Sequence, residues 1–132
     1  MESEFEQLAA ENYVLLTTFR RSGVAVPTPV WLASVDDELV VWSQRNTGKV
    51  KRIRHNGRVE VQGCDLRGRK THGAKVTGQA RLLDDNATKG ACKAIARKYG
   101  LVGRVTMFFS LLRGGPPRIV GIAVKLDARP FN

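Results

Sequence analysis

A chain of 132 residues with 42% hydrophobic residues is long enough for one domain with its own core, and its mean hydropathy of −0.23 excludes a disordered composition. Apolar runs reach about six residues, too few for a membrane helix of about 20, and the acidic first six residues do not resemble a signal peptide. Two cysteines, Cys64 and Cys92, indicate neither a disulfide framework nor a zinc site. We therefore expect one cytoplasmic domain over residues 1–132, without a membrane span or a metal.

The net charge of +10 is distributed unevenly along the chain. Residues 1–44 carry two basic and seven acidic side chains, whereas residues 45–132 carry twenty basic and five acidic ones. The densest stretch, residues 45–81, holds eleven basic against two acidic side chains. Such a surface attracts polyanions, which include nucleic acids, phosphate-bearing cofactors and poly-acidic tails.

Hydrophobic periodicity predicts a series of strands interrupted by short helices. Helices are expected over residues 2–10, 47–56, 84–99 and 105–112, and strands over 13–19, 24–35, 39–43, 58–64, 74–82 and 118–126. Pro27 and Pro29 exclude a fully paired central position for the second strand. Six strands with few helices predict a small, mostly antiparallel β-barrel.

The segment 43–57 carries the clearest functional signal. Thr47 is a candidate N-cap, Val50 and Ile53 lie on one face, and Asn56-Gly57 predicts the helix end. The hydroxyls of Ser43 and Thr47, the backbone amides at Gly48, and the charges of Lys49 and Arg52 would all meet at the helix start, where a phosphate binds well. A solvated basic helix face would have the same composition, so both interpretations stay open.

Other segments are less specific. Residues 27–31 predict an irregular edge strand, or a surface that meets a planar ring. The histidines have no partner at metal-ligand spacing, and the basic run 45–58 contains no aromatic residue, which disfavours RNA binding. The apolar residues of the helix expected over 105–112 would lie in the core or at a dimer surface. These residues are Val105, Phe108, Phe109, Leu111 and Leu112.

Taken together, these segments resemble the pyridoxamine 5′-phosphate oxidase-like split-barrel superfamily and, within it, the coenzyme F420-dependent branch. The resemblance rests on the order and spacing of segments 27–31, 36–42, 47–59, 64–65, 78–82 and 98–101, and it covers nearly the whole chain. One departure is Gly57, where relatives usually carry proline, and it concerns turn geometry more than chemistry.

The resemblance implies a six-stranded antiparallel split β-barrel of the FMN-binding type, which forms a homodimer with cofactor sites at the subunit interface. It implies a phosphate site at Thr47, Gly48, Lys49 and Arg52. The cofactor ring would contact further residues, which are Pro29, Val30, Trp31, Trp42, Ser43 and, beside the ring, His72. The resemblance assigns no catalytic residue.

The charge favours coenzyme F420 over FMN, because F420 carries a phosphodiester and an oligoglutamate tail that suit a basic stretch. The expected activity is hydride transfer from reduced F420 to an unsaturated acceptor, either a quinone, a tetrapyrrole or an enoate-like compound. The alternatives are an FMN- or haem-binding split barrel and a non-catalytic basic module that binds nucleic acid or cofactor.

Overall fold

One antiparallel sheet with three helices makes up the computed structural model, which describes residues 3–100 and 119–127. In chain order the elements of these ranges are α1 (Glu4–Ala9), β1 (Val14–Phe19), β2 (Ala25–Val30), β3 (Ala33–Val35), β4 (Glu38–Gln44), α2 (Gly48–His55), β5 (Arg58–Cys64), β6 (Thr71–Leu82), α3 (Asp85–Tyr99) and β7 (Ile119–Leu126). The strand order in the sheet is β2-β1-β5-β6-β7-β4-β3. None of these helices is long and apolar enough to cross a bilayer.

The connection between β2 and β3 requires the sheet to be rolled up. These strands are the two edges of the seven-stranded sheet, yet only Trp31 and Leu32 join them. In a flat sheet the edges would lie roughly 29 Å apart, at ~4.8 Å per strand. The three chain steps from Val30 to Ala33 span at most ~11 Å. The sheet therefore curls until its edges approach each other, in agreement with the mostly β, split-barrel class expected from the sequence.

The predicted number of strands was wrong, because the single strand expected over residues 24–35 is two strands. The backbone of Leu32 bonds to the Tyr99 hydroxyl instead of continuing a ladder, and its N–H donates over 3.2 Å. The Trp31 ring stacks on the Tyr99 ring with centroids 5.0 Å apart. β2 pairs with β1 alone at one edge, so the expectation that Pro27 and Pro29 lie in an edge strand is confirmed.

The barrel interior holds the main core, and a short helix lies at each end. The fully buried side chains include Leu16, Leu39, Val59, Val61, Ile122 and Val124. At the Val14 end of β1, Leu8 of α1 joins this core. At the Thr18 end, Ile53 of α2 joins it, and Arg52 bonds to Thr18. Helix α2 begins at Gly48, directly after its predicted N-cap Thr47. Val50 and Ile53 are buried, as expected from the sequence.

Helix α3 runs along the outside of the barrel, from the α2 end to the α1 end. Its inner face forms a second core with β3, β4 and β7, made of Ala33, Val40, Ala91, Ile95 and Ala123. At its start, Asp85 pairs with Arg45 at 3.0 Å. At its end, the Lys98 Nζ donates to the carbonyl oxygen of Ala9 over 2.8 Å. The predicted end of this helix is confirmed, since Gly100 is left-handed, with φ 68°.

Several predicted boundaries differ from the structure. α1 begins at Glu4 behind Ser3 rather than at residue 2. β6 begins at Thr71, so the loop predicted over residues 65–73 is shorter. The alternation over residues 74–82 predicts Ala74 on the core face, but Ala74 is exposed. Between the pairs Val61–Val76 and Gly63–His72, β6 carries two more residues than β5, and this bulge interrupts the alternation of β6 there. The helix predicted over residues 105–112 lies outside the described residues.

The Tyr99 hydroxyl holds three chain segments together, and its loss should destabilise the fold. The hydroxyl oxygen lies 2.6 Å from the carbonyl oxygen of Asn12 and 3.1 Å from that of Leu32, and the hydroxyl proton is shared between these two acceptors. The same hydroxyl oxygen accepts a hydrogen bond from the Leu32 amide. Tyr99→Phe leaves that buried amide without its partner and should lower the free energy of unfolding by about 1–3 kcal/mol in urea denaturation. Tyr13→Phe is the control, since the Tyr13 hydroxyl makes no hydrogen bond among the described residues. Equal losses in both variants would contradict this role.

Candidate functional site

The start of α2 is a hydrogen-bonded turn built on two hydroxyl groups. The Ser43 and Thr47 hydroxyl oxygens lie 3.0 Å apart, and the Thr47 hydroxyl donates to the carbonyl of Gln44 over 3.0 Å. The same Thr47 oxygen accepts from the amide of Val50 at 3.4 Å, as an N-cap does. Helix geometry then directs the amides of Gly48 and Lys49 out of the helix end, where they can meet an anion.

The Arg52 side chain folds back over this helix start. Its Nε donates to the Thr18 hydroxyl over 2.6 Å, which fixes the side chain against β1. Its terminal nitrogens lie over Gly48, since a Cβ built on Gly48 would be only 2.7 Å from one of them. Glycine at position 48 is therefore what allows the guanidinium to lie against the helix start.

Lys49 completes a group of two cations beside the exposed amides. Its side chain is partly buried, and this burial, followed by repulsion from Arg52, lowers the pKa of the ammonium group. Holding both charges in the folded protein therefore costs free energy. A bound anion would offset that cost, because it would neutralise the pair.

The donor set fits a phosphate group. Two backbone amides, an ammonium and a guanidinium lie within one helical turn, and phosphate oxygens accept from each of these donor types. The hydroxyls of Ser43 and Thr47 hold the turn that presents these donors, since both are engaged within it. Within residues 3–100 and 119–127, no ion pair joins Lys49 or Arg52 to a carboxylate. We call this group, made of Ser43, Thr47, Gly48, Lys49 and Arg52, the cationic cluster.

The predicted ring-contact residues of β2 follow one edge of the barrel away from the cationic cluster. Val26 is linked to the cationic cluster through Thr18. The Thr18 hydroxyl donates to the Val26 carbonyl oxygen over 3.5 Å and accepts from Arg52 of the cluster. Val30 packs against the barrel core, and Pro29 packs on the other face against Gly68, whose added Cβ would lie 3.3 Å from the proline ring. Trp31 follows at the α1 end, 37% exposed. The free edge of β2 thus runs from the cationic cluster to an aromatic ring.

The structure does not bring Trp42 and His72 to the cationic cluster. Trp42 packs under α3, on the opposite face of β4 from Ser43. His72 pairs across the sheet with Gly63, and its Nε2 lies 2.7 Å from the Glu11 carboxylate at the α1 end. The site predicted from the sequence is thus spread over both ends of the barrel.

Sequence reasoning missed three residues that organise these positions, namely Thr18, Glu11 and Tyr99. Thr18 occupies a core position of β1 and is only 1% exposed, so a polar side chain in a buried strand was the available signal. Tyr99 links Trp31 to the turn after α1, and no local pattern could show this, because the partners are 67 and 87 residues apart. Burial raises the pKa of its phenol, partly offset by the Leu32 backbone bond.

Comparison with protein-family models identifies the family of this chain. It belongs to the pyridoxamine 5′-phosphate oxidase family, whose model matches residues 1–121. This confirms the superfamily inferred from segments 27–31 and 47–59. A search of curated proteins finds no significant match.

Solved structures show the same fold at low sequence identity. An F420 reductase is 18% identical with a TM-score of 0.65, and the alignment covers 97% of each chain. A conserved hypothetical protein from Mycobacterium tuberculosis is 17% identical with a TM-score of 0.73, covering 97% of this chain and 82% of that one. The heme storage protein of Vibrio cholerae is 11% identical with a TM-score of 0.68, covering 97% and 91%. At these identities the likeness shows the fold alone.

Anion binding at the cationic cluster can be tested with Gly48→Ala. The added methyl group must displace the flexible end of Arg52 rather than backbone, so the melting temperature should stay near that of the parent. Inorganic pyrophosphate should raise the melting temperature of the parent and raise that of the variant less. Gly90→Ala on α3, where the added Cβ meets nothing within 4 Å, should keep the full pyrophosphate effect. An undiminished effect in Gly48→Ala would show that Arg52 does not hold the anion.

Proposed function

We propose that this protein binds coenzyme F420 and transfers a hydride from its reduced form to an unsaturated organic acceptor. The observation that carries the proposal is the cationic cluster, where Lys49 and Arg52 flank exposed amides at a helix start without carboxylate partners in the described residues. The fold shared with an F420 reductase supports the choice of cofactor. Membership of an oxidase family supports an oxidoreductase.

The charge around the cluster favours F420 over FMN. Lys51 and Arg54 are exposed on α2, and Arg20 and Arg21 are exposed at the adjoining end of the β1–β2 hairpin. Within the described ranges no ion pair joins any of these four side chains to a carboxylate. A single FMN phosphate would use only the cluster, whereas the poly-acidic F420 tail can follow the cations beyond it.

The residues of this chain would bind and orient the cofactor. Gly48, Lys49 and Arg52 would hold its phosphate, and the free edge of β2 would lie along it towards Trp31. The deazaflavin supplies the hydride chemistry when it is bound, so the protein needs to provide position, electrostatics and exclusion of water.

The alternative with an observation in its favour is a non-catalytic basic module. The cations of the α2 end would also attract nucleic acid, and one structural neighbour is a heme storage protein rather than an enzyme. The cluster argues against nucleic acid, since it is built for one phosphate group by a helix start and has no aromatic side chain for base stacking.

We also propose that the protein is a homodimer. Val24, Trp31, Val35 and Leu66 are exposed apolar side chains, and β2 and β3 are free sheet edges among the described strands. Light scattering at micromolar concentration should give twice the chain mass of 14.6 kDa. A monomeric mass under these conditions would contradict the assembly.

Lys49→Ala tests the cofactor assignment, with Lys51→Ala as a control of equal charge on the same helix. Lys49 should contribute a charge-assisted bond of about 1.5–3 kcal/mol, so its removal should weaken F420 binding roughly ten- to a hundredfold in a fluorescence titration. Exposed Lys51 should cost about 1 kcal/mol or less, and that effect should fade as salt is added.

Three outcomes would overturn the assignment. Lys49→Ala that binds F420 as tightly as the parent would mean that the phosphate lies elsewhere. A clear preference for FMN in a parallel titration would exclude F420 as the cofactor. Retention of nucleic acid at physiological salt, with indifference to F420, would favour the basic module.

A further inference from the structure

A pocket lies at the opposite end of the barrel from the cationic cluster. It has a volume of about 340 Å³ and opens between α1 and the first half of β6. Its wall includes Leu8, Ala74 and Val76, and its polar side chains are Glu4, Gln7, Glu11 and His72. We call it the α1 pocket.

The α1 pocket contains a histidine–carboxylate pair that the backbone is shaped to accommodate. His72 Nε2 lies 2.7 Å from Glu11 Oε1. Both side chains lie over Gly63, where an added Cβ would be 2.8 Å from the His72 ring and 2.9 Å from the Glu11 carboxylate. A bulge in β6 falls at this point, because three residues separate His72 from Val76 where only one separates Gly63 from Val61 on β5. Bulges are enriched beside active sites, because they re-aim side chains.

The α1 pocket and the proposed ring position share one end of the barrel. Trp31 stacks on Tyr99, whose hydroxyl donates to the carbonyl of Asn12, the neighbour of Glu11. Lys98, next to Tyr99, donates to the carbonyl oxygen of Glu11. A cofactor that extends from the cationic cluster along β2 would therefore bring its ring towards the end where His72 lies.

We propose that the α1 pocket binds the acceptor and that His72, oriented by Glu11, donates the proton that completes its reduction. This inference rests on the proposed function. A hydride added with its electron pair to a quinone or enone breaks a π bond and leaves a negative charge on oxygen. The second ring nitrogen of His72 supplies the proton to that oxygen, and solvent then reprotonates the imidazole. The donor is the two-electron-reduced deazaflavin, which leaves oxidised and loses its own proton to water.

The pocket also selects among acceptor classes. Its volume is at the small end of ligand pockets, which run from ~300 to 1,000 Å³, so it suits a one- or two-ring compound rather than a tetrapyrrole. The carboxylates of Glu4 and Glu11 disfavour an acceptor that carries its own carboxylate. Lys98 supplies one positive charge beside Glu11, which offsets only part of the repulsion from two carboxylates. The expected substrate is therefore an uncharged conjugated carbonyl compound.

The first experiment measures acceptor binding without cofactor. Menadione, an uncharged two-ring quinone, is titrated calorimetrically into the parent, Ala74→Phe and Gln79→Phe. Ala74→Phe should fill the pocket from an exposed strand position and weaken binding at least tenfold, whereas Gln79→Phe on the same strand should not. A naphthoquinone that carries a carboxylate should bind more weakly than menadione. Equal menadione affinity in all three proteins would overturn the acceptor site.

The second experiment measures turnover of menadione by reduced F420. His72→Gln should lower kcat about a hundredfold, in the range typical of a lost general acid, without weakening F420 binding. Gly63→Ala should lower kcat in the same direction, because it displaces the pair without removing either group. Glu11→Gln, a positioning change, should lower kcat about tenfold with KM unchanged. His55→Gln, at an exposed position of α2, is the matched control and should behave as the parent.

The outcomes separate this inference from the proposed function. An unchanged kcat in His72→Gln, with F420 bound normally, would overturn the proton donor and leave the cofactor assignment standing. A parent that binds menadione but not F420 would overturn the proposed function and the proton-transfer role with it. Loss of F420 affinity in His72→Gln would make His72 a cofactor contact instead of a proton donor.

Discussion

The two-residue connection at Trp31-Leu32 is the constraint on which the rest of this structure depends. It joins strands at opposite edges of a seven-stranded sheet, so the sheet has to close upon itself. The buried Leu32 backbone leaves the ladder there, and the Tyr99 hydroxyl satisfies both its amide and its carbonyl. One side chain of α3 thereby compensates for the interruption that turns a flat sheet into a barrel.

The length of β1 separates the two charged groups of the barrel. The cationic cluster lies at the Thr18 end of β1, and the His72–Glu11 pair lies at the Val14 end, four residues away along the strand. That distance is roughly 13 Å at ~3.3 Å per residue. A rigid barrel keeps the two ends apart, so an anion-binding site and a proton-transfer site can coexist without neutralising each other.

Local patterns in the sequence were sufficient to predict α2 and the cationic cluster, because the relevant contacts are short-range. Thr47 caps the helix three residues before Val50, and Arg52 reaches back over Gly48 four residues away. The family could likewise be inferred from the order of short segments. Cofactor choice followed from net charge together with that family resemblance, and it stays a proposal.

The sequence by itself determined the β-rich class, the limits of α2 and α3 and the basic helix start, since these depend on periodicity, caps and glycine positions along the chain. Only the tertiary structure decided that residues 24–35 break into two strands and that Trp42 lies under α3. It also decided that His72 meets Glu11. The physical reason is that these outcomes depend on partners such as Tyr99 and Glu11, which lie 61 to 87 residues away and leave no local pattern.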